Sequence, residues 1–313
     1  MKVIGKTSHN EIASVYVAEF KSGKQVEFVE STQPPYPRGE KWVLVISTLY
    51  GCPVGCSFCD AGLSYGGKLT ALEMLAQIDL LISQYYPDKK VPVKKFKIQF
   101  SRMGEPALNQ EVLSVLNSLP EQFEAPGLIP SISTIAPKGS ERFFKELLKI
   151  KDKYYHSGKF QLQFSIHTTD QKLRDTLIPI PKLSFAELAG LGGEFFKTGD
   201  RKITLNFARA EDSPLDPEIL SKYFNPDKFL VKITPINPTY QAQKNGMVSY
   251  VKPGYSGEYE TIARLEEIGY EVILSIGELE ENKIGSNCGQ YLHSHFEQEK
   301  KLDNAYLYKI IKK

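Results

Sequence analysis

A chain of 313 residues with a hydrophobic fraction of 41% can bury the core of one large globular domain or two ordinary ones. No apolar run approaches the roughly 20 residues that span a bilayer, and Met1 to Lys6 lacks the long apolar stretch of a signal peptide, so a soluble, cytoplasmic protein with no membrane partner is expected. A formal net charge of +2 neither demands nor forbids a nucleic-acid partner, which needs only a local basic face.

Residues 15–20 and 25–30 flank Lys21-Ser22-Gly23-Lys24 and predict a β-hairpin with a glycine turn. Gln33-Pro34-Pro35-Tyr36-Pro37-Arg38-Gly39 reads as a proline-punctuated connector. Beyond it, expected strands at 42–47, 96–101, 129–134, 160–166, 202–207, 229–234 and 271–275 alternate with expected helices at 71–84, 109–118, 141–151, 185–196, 216–224 and 259–268. Thr70-Ala71-Leu72-Glu73 opens the first helix as a capping box. This alternation implies an α/β fold with a parallel sheet, an open or partial (β/α) barrel whose site gathers at the C-terminal strand ends. The expected organisation is an N-terminal hairpin extension over 1–38, a core over 39–296 and a C-terminal tail over 297–313. For residues 306–311 in that tail, a packed strand and a helix fit equally well.

Three of the four cysteines lie in Cys52-Pro53-Val54-Gly55-Cys56-Ser57-Phe58-Cys59, spaced C-x3-C-x2-C. Thiolates hold iron–sulfur clusters, and three of them on a four-iron cluster leave one iron open to chelate a substrate. A structural zinc site would need four donors, and the nearest further candidates, His156, His167 and Cys288, are distant in sequence. Four cysteines in a chain of this length, with no signal peptide, also fit a reducing cytosol better than a disulfide framework. The spacing resembles that of the radical S-adenosylmethionine (radical SAM) superfamily. That resemblance implies a [4Fe-4S] cluster on Cys52, Cys56 and Cys59, with S-adenosyl-L-methionine as cofactor.

Ser101-Arg102-Met103-Gly104-Glu105-Pro106 follows the second core strand. Glycine permits close backbone approach, and a carboxylate accepts from an ammonium group. Further motifs follow in order: Ser133-Thr134; Ser165-Ile166-His167 running on to Leu173-Arg174-Asp175-Thr176-Leu177-Ile178-Pro179-Ile180; Ile233-Thr234-Pro235-Ile236-Asn237-Pro238; and Asn287-Cys288-Gly289-Gln290. Together, over roughly residues 30–292, they resemble the RlmN/Cfr family of radical SAM methyltransferases, which methylate a ribosomal RNA adenine. The fold so implied is a partial (β/α)6 TIM-type radical SAM barrel with an N-terminal β-hairpin extension.

By motif match, the resemblance implies cofactor contacts from Gly104, Glu105, Ser133, Ser165, Ile166, His167 and Asn237. Each polar one has an ordinary structural reading too: strand-end caps for the serines, a satisfied half-buried ring for His167, turn chemistry for Asn237. Cys288 is implied as the methyl-carrying cysteine, its glycine neighbour allowing a sharply turned loop, although a lone cysteine is commonly a small buried hydrophobe. The chemistry implied is two-step. Cys288 takes a methyl group by displacement; radical activation of that group then drives attack on an sp2 carbon, and a glutamate removes the substrate proton. Glu30 matches that base best, with Glu27 a nearby competitor. RNA and a small electron donor such as a flavodoxin or ferredoxin are the implied partners.

The chain departs from the family pattern at three places. Val45 stands where the family has the cysteine that releases methylated product. The family's N-terminal helical RNA-binding extension has no counterpart in the first thirty or so residues. The segment between Gly277 and Cys288 is longer, and Ser101 and Arg102 alter the glycine-rich strand end. The alternatives are therefore the same chemistry on a peptide or metabolite, or a non-catalytic metal-binding module. Basic stretches at 89–97 and 300–313 are read as solvated faces.

Overall fold

The computed structural model describes residues 1–9, 12–32, 34–251, 257–299 and 301–312. The chain opens with β1 (Lys2–His9), β2 (Ala13–Glu19) and β3 (Gln25–Ser31), then β4 (Lys41–Ile46) and a small ribbon of β5 (Leu49–Gly51) and β6 (Tyr65–Lys68). There follow α1 (Ala71–Ser83), β7 (Lys95–Phe100), α2 (Glu111–Gln122), β8 (Leu128–Thr134), α3 (Glu141–Tyr154), β9 (Gln161–Ser165), α4 (Gln171–Leu177) and α5 (Phe185–Phe195). The remainder comprises β10 (Ile203–Arg209), α6 (Pro217–Ser221), β11 (Phe229–Pro235), α7 (Tyr240–Lys244), α8 (Gly257–Ile268), β12 (Val272–Leu274), α9 (Leu279–Ile284), α10 (Leu292–Glu297) and β13 (Ile311–Lys312).

Among the described residues, eleven strands form one sheet in the order β12-β11-β10-β9-β8-β7-β4-β3-β2-β1-β13. From β4 to β12 every pairing is parallel, and from β4 through β3, β2 and β1 to β13 every pairing is antiparallel. The sheet stays open, ending at β12 and β13. The two-residue period of a strand sorts its side chains onto two faces. Trp42, Leu44, Ile46, Phe96, Ile98, Phe100, Leu162, Phe164, Leu205, Phe207, Val231 and Ile233 pack into one core beneath the helices. Each such side chain, fully buried, contributes about 1.5–3 kcal/mol. The opposite face carries Val45, Lys97, Gln99, Ser131, Ser133, Gln161, Gln163, Ser165, Thr204, Asn206 and Lys232, and is largely polar. The helical face thus holds the fold together and leaves the other face open to chemistry.

The capping box forms as its spacing predicts: Thr70 Oγ1 accepts from the Glu73 amide at 3.2 Å, and Glu73 Oε2 accepts from the Thr70 amide at 2.8 Å. The hairpin of β2 and β3 forms with Gly23 at φ +77°. It belongs to a longer antiparallel run, since β1 pairs with β2. Its edge is covered in turn by β13, which pairs Gly5 with Lys312 and makes part of the C-terminal segment a strand. On the side of β3 away from the helices, Val29, Val45, Ile284, Leu292, Leu302 and Tyr306 form a second apolar cluster that seats the C-terminal segment. No helix among the described residues is long and apolar enough to cross a membrane.

Candidate active site

Thr48 and Leu49, which follow β4, donate their amides to the Met103 carbonyl at 2.8 and 3.1 Å, tying the start of the cysteine loop to the segment after β7. Gly104 has φ +101°, and a Cβ there would fall 2.5 Å from the Leu49 side chain, so only glycine lets the two segments meet. The loop itself is closed by its own backbone. The Cys52 amide reaches the Ala61 and Ser64 carbonyls at 2.8 and 3.1 Å, and the Cys59 amide reaches the Cys56 carbonyl at 3.1 Å.

Segments distant in sequence clamp this loop. Asp60 accepts the Tyr240 and Gln241 amides at the start of α7 at 3.1 and 2.9 Å. Thr239 Oγ1 donates to the Phe58 carbonyl at 3.0 Å, and Asn245 Nδ2 donates to that of Ser57 at 2.7 Å. The Asp60 amide donates to the Gly289 carbonyl at 3.0 Å, which brings the Cys288 loop against the three-cysteine loop. Gly289 has φ +85°, and a Cβ there would lie 3.0 Å from the Phe58 carbonyl oxygen. Asn237 Nδ2 completes the contact by donating to the Cys288 carbonyl at 2.9 Å.

Among the described residues, no three His, Cys, Asp or Glu side chains gather about one point as a single metal ion requires. The donor set suits a cluster, which spreads its thiolates over separate irons. Burial pushes the Cys52 thiol up to about 11 and raises Cys56 and Cys59 as well, so ionisation there calls for a cationic group to replace lost hydration. Cys288 is exposed to solvent, although protein surrounds it closely enough to desolvate its thiol. Burial raises its pKa, while the Arg102 and Lys232 cations pull it down.

Glu105 is buried. Its carboxylate accepts from the Thr134 hydroxyl and from the Ile135 and Ala107 amides, the amides at 2.9 and 3.0 Å. Burial still pushes it up to about 7 despite those bonds, the signature of a carboxylate that an adjacent ammonium would return to its charged form. Ser133 Oγ is buried with no hydrogen-bond partner, and Ser165 is half-buried on the same face one strand over. The Ile166 side chain lies in the helical core, leaving only its backbone at the site. His167 sits at φ +67°, with Nδ1 accepting the Ala208 amide at 3.1 Å and the ring edge-on to Phe58, centroids 4.7 Å apart. Burial, and then Arg174, push it down to about 3, so the ring is neutral with its proton on Nε2.

The two candidate bases are placed differently from the sequence expectation. Glu30 lies on the helical face of β3, where it accepts from Tyr16 and Tyr85 hydroxyls at 2.7 and 3.1 Å. The strand period turns it away from Cys288, so the structure does not bring it to the site. Glu27, three positions earlier, lies on the Cys288 side. Its carboxylate is bound to Arg102 Nη2 at 2.9 Å and to the Leu292 and His293 amides at 3.2 and 2.8 Å. Arg102 also donates to the carbonyls of Gly285, Ser286 and Asn287 at 2.9, 3.2 and 3.2 Å, and its guanidinium lies 4.8 Å from the Tyr291 ring centroid. Glu27 and Arg102 are thus the anchor of the Cys288 loop. The signal in the sequence was an arginine inside a glycine-rich strand end, where a buried charge demands a partner.

Comparison with known proteins follows the same lines. No family model matches the chain. It is 28% identical over 172 residues to the dual-specificity RNA methyltransferase RlmN of Helicobacter hepaticus, covering 55% of this chain and 42% of that protein. It is 27% identical over 285 residues to a probable dual-specificity RNA methyltransferase RlmN of Thermus thermophilus, covering 88% of this chain and 73% of that one. The chain thus matches less than half the length of the Helicobacter protein. A crystal structure of a radical SAM methyltransferase from Sphaerobacter thermophilus superimposes with a TM-score of 0.70 at 21% identity, over 93% of this chain and 81% of that one, and shows the shared fold.

Proposed function

This chain is RlmN/Cfr-like, and from that kinship we propose that it is a radical SAM methyltransferase with Cys288 as its methyl carrier. The observation that supports the reading is the hydrogen bond from the Asp60 amide to the Gly289 carbonyl, which holds the Cys288 loop against the loop of Cys52, Cys56 and Cys59. Those three thiols would hold the [4Fe-4S] cluster. When bound with S-adenosylmethionine, the cluster supplies hydrogen-abstracting radical chemistry. Glu105 would accept the cofactor's ammonium, Ser133 and Ser165 would take its hydroxyl groups, and the neutral His167 would offer the proton on Nε2. Arg102 and Lys232 favour the Cys288 thiolate, which is the form that accepts a methyl group. The relatives' names support RNA as the substrate class, and the motif resemblance supports an sp2 carbon of an adenine as the atom methylated.

The same chemistry on a smaller, non-ribosomal substrate is a second reading, favoured by Val45. That residue pairs with Val29 and packs beside the cluster of Ile284 and Leu292, on the Cys288 side of the sheet, where it offers no releasing thiol. Mass spectrometry of the Cys288 peptide from anaerobically purified, cluster-loaded protein tests the shared step. One added methyl group is expected, and an unmodified peptide in the presence of S-adenosylmethionine refutes it. Nucleoside mass spectrometry after incubation with RNA and reductant then separates the two substrates.

A further inference from the structure

Arg102 holds the residues before Cys288 from one side. A second grip on the same loop comes from the C-terminal segment, through Tyr306. Its ring lies against Gly285, where the backbone turns at φ +83° and a Cβ would fall 2.6 Å from the ring. Its hydroxyl oxygen accepts the Tyr291 amide at 2.9 Å. Gly285 and Tyr291 flank the turn that carries Cys288, so one buried side chain spans the base of that turn. The Tyr306 amide also donates to the Asn282 carbonyl at 3.1 Å, and Gln290 Nε2 donates to the same carbonyl at 3.2 Å.

The ring is itself fixed. It stacks on His295 with centroids 4.5 Å apart and on Tyr240 with centroids 6.2 Å apart, and the Tyr240 hydroxyl lies 2.7 Å from His295 Nδ1. The Tyr240 amide is held by Asp60, the neighbour of Cys59, so the same stack reaches the three-cysteine loop. The backbone at Tyr306 is strained, with φ at +55°. Asn304, two residues earlier, takes φ +58°, which asparagine tolerates, whereas a bulky aromatic residue does not adopt this region without cause. Such a conformation persists where surrounding contacts over-determine it. An aromatic ring that only fills a core has no need of it. A residue whose ring, hydroxyl and amide must meet three fixed partners does.

We propose that Tyr306 is a positioning residue for Cys288, strapping the two ends of its turn together and so fixing where the sulfur sits for methyl uptake. The purpose of the strap rests on the methyltransferase reading; the strap itself does not. Two variants of the cluster-loaded protein test it. Tyr306→Phe keeps the ring and removes only the acceptor of the Tyr291 amide. Tyr306→Asn removes the ring and tolerates the left-handed backbone. Hydrogen exchange over residues 285–292 should accelerate at least about tenfold in both, and more in Tyr306→Asn, with exchange in β4 and β7 unchanged. Methyl uptake is followed by the mass of the Cys288 peptide: the thiolate sulfur gains the methyl group as the sulfonium loses it, leaving S-adenosylhomocysteine. Its rate at saturating S-adenosylmethionine should fall about tenfold or more, while the half-saturating concentration stays within about twofold. Tyr308→Phe, which removes a hydroxyl bound to Glu280 at 2.8 Å in the same segment, should change neither. A tyrosine with a merely structural role would lower the melting temperature and leave the methylation rate of the folded protein intact. Unchanged exchange in both variants, faster exchange with an unchanged methylation rate, or an equal loss in Tyr308→Phe overturns the assignment. Wild-type protein that takes up no methyl group refutes the methyltransferase reading and the positioning role with it, and exchange alone then decides whether Tyr306 straps the turn.

Discussion

The buried Arg102–Glu27 pair makes the sharpest stability prediction. The two side chains are 2% and 1% exposed, and they bind at 2.9 Å. Arg102 also satisfies three carbonyls in the segment before Cys288, and Glu27 caps two amides after it. Removing one partner strands the other charge in a desolvated site, at a cost of about 3–5 kcal/mol. Arg102→Met and Glu27→Gln should each lose about that much in urea unfolding. The double variant should lose well under the sum, because neither charge is then stranded, giving a coupling of at least about 1–2 kcal/mol. Arg102→Met should also raise the pH at which Cys288 is half-alkylated by iodoacetamide, since the cation that lowers its pKa is gone. Strictly additive losses, with an unchanged alkylation profile, would show that the pair does not anchor the loop.

Gly289→Ala should cost about 1–3 kcal/mol, from the left-handed backbone and the contact with the Phe58 carbonyl, and should lower Cys288 methylation; thermal denaturation showing no loss would sink the close-contact argument. His167 is held near 3 when folded against an ordinary value of 6.5, so the unfolded chain binds more protons in the window between those values and stability falls as pH drops through it. Between pH 7 and pH 5 that loss is about 2 kcal/mol, and His167→Asn, which tolerates the positive φ, should abolish it in paired urea titrations; an unchanged pH slope counts against it. Cys56→Ala should abolish 5′-deoxyadenosine formation, whereas Cys288→Ala should keep the cluster absorbance and show uncoupled cofactor cleavage; loss of the cluster in the latter variant contradicts its role as carrier.

The parallel strands were legible because each is a short apolar alternation whose buried half packs under an amphipathic helix. Phe96, Ile98 and Phe100 against Lys97 and Gln99 are a clear case. The motif residues at the strand ends were legible for a related reason, since chain order already places them at one end of a parallel sheet. The strands β1 and β13 were not legible. Gly5 interrupts the first, the second is two residues long, and both form because a distant segment covers an edge. The face on which Glu30 lies was equally hidden. Glu27 and Glu30 differ by an odd number of residues, so one of them had to face the helices, and only the pairing of β3 with β4 says which.

Arg102 connects these observations. It follows directly on β7, two residues before Gly104 and three before Glu105, and its head group grips the residues that lead into Cys288. The Cys288 loop in turn holds the three-cysteine loop through Gly289 and Asp60. The proposed cofactor contact, methyl carrier and cluster ligands are therefore linked by a chain of hydrogen bonds through Arg102, the Cys288 loop and Asp60. A displacement of Cys288 has to be transmitted to Phe58 and Cys59, against which Gly289 is packed. Such preorganisation suits the proposed reaction, in which the Cys288 sulfur would meet two successive partners at fixed distance. It also explains why a buried ion pair, costly to form, persists on the polar face of the sheet: an apolar replacement could stabilise the fold, but could not direct hydrogen bonds at three consecutive carbonyls.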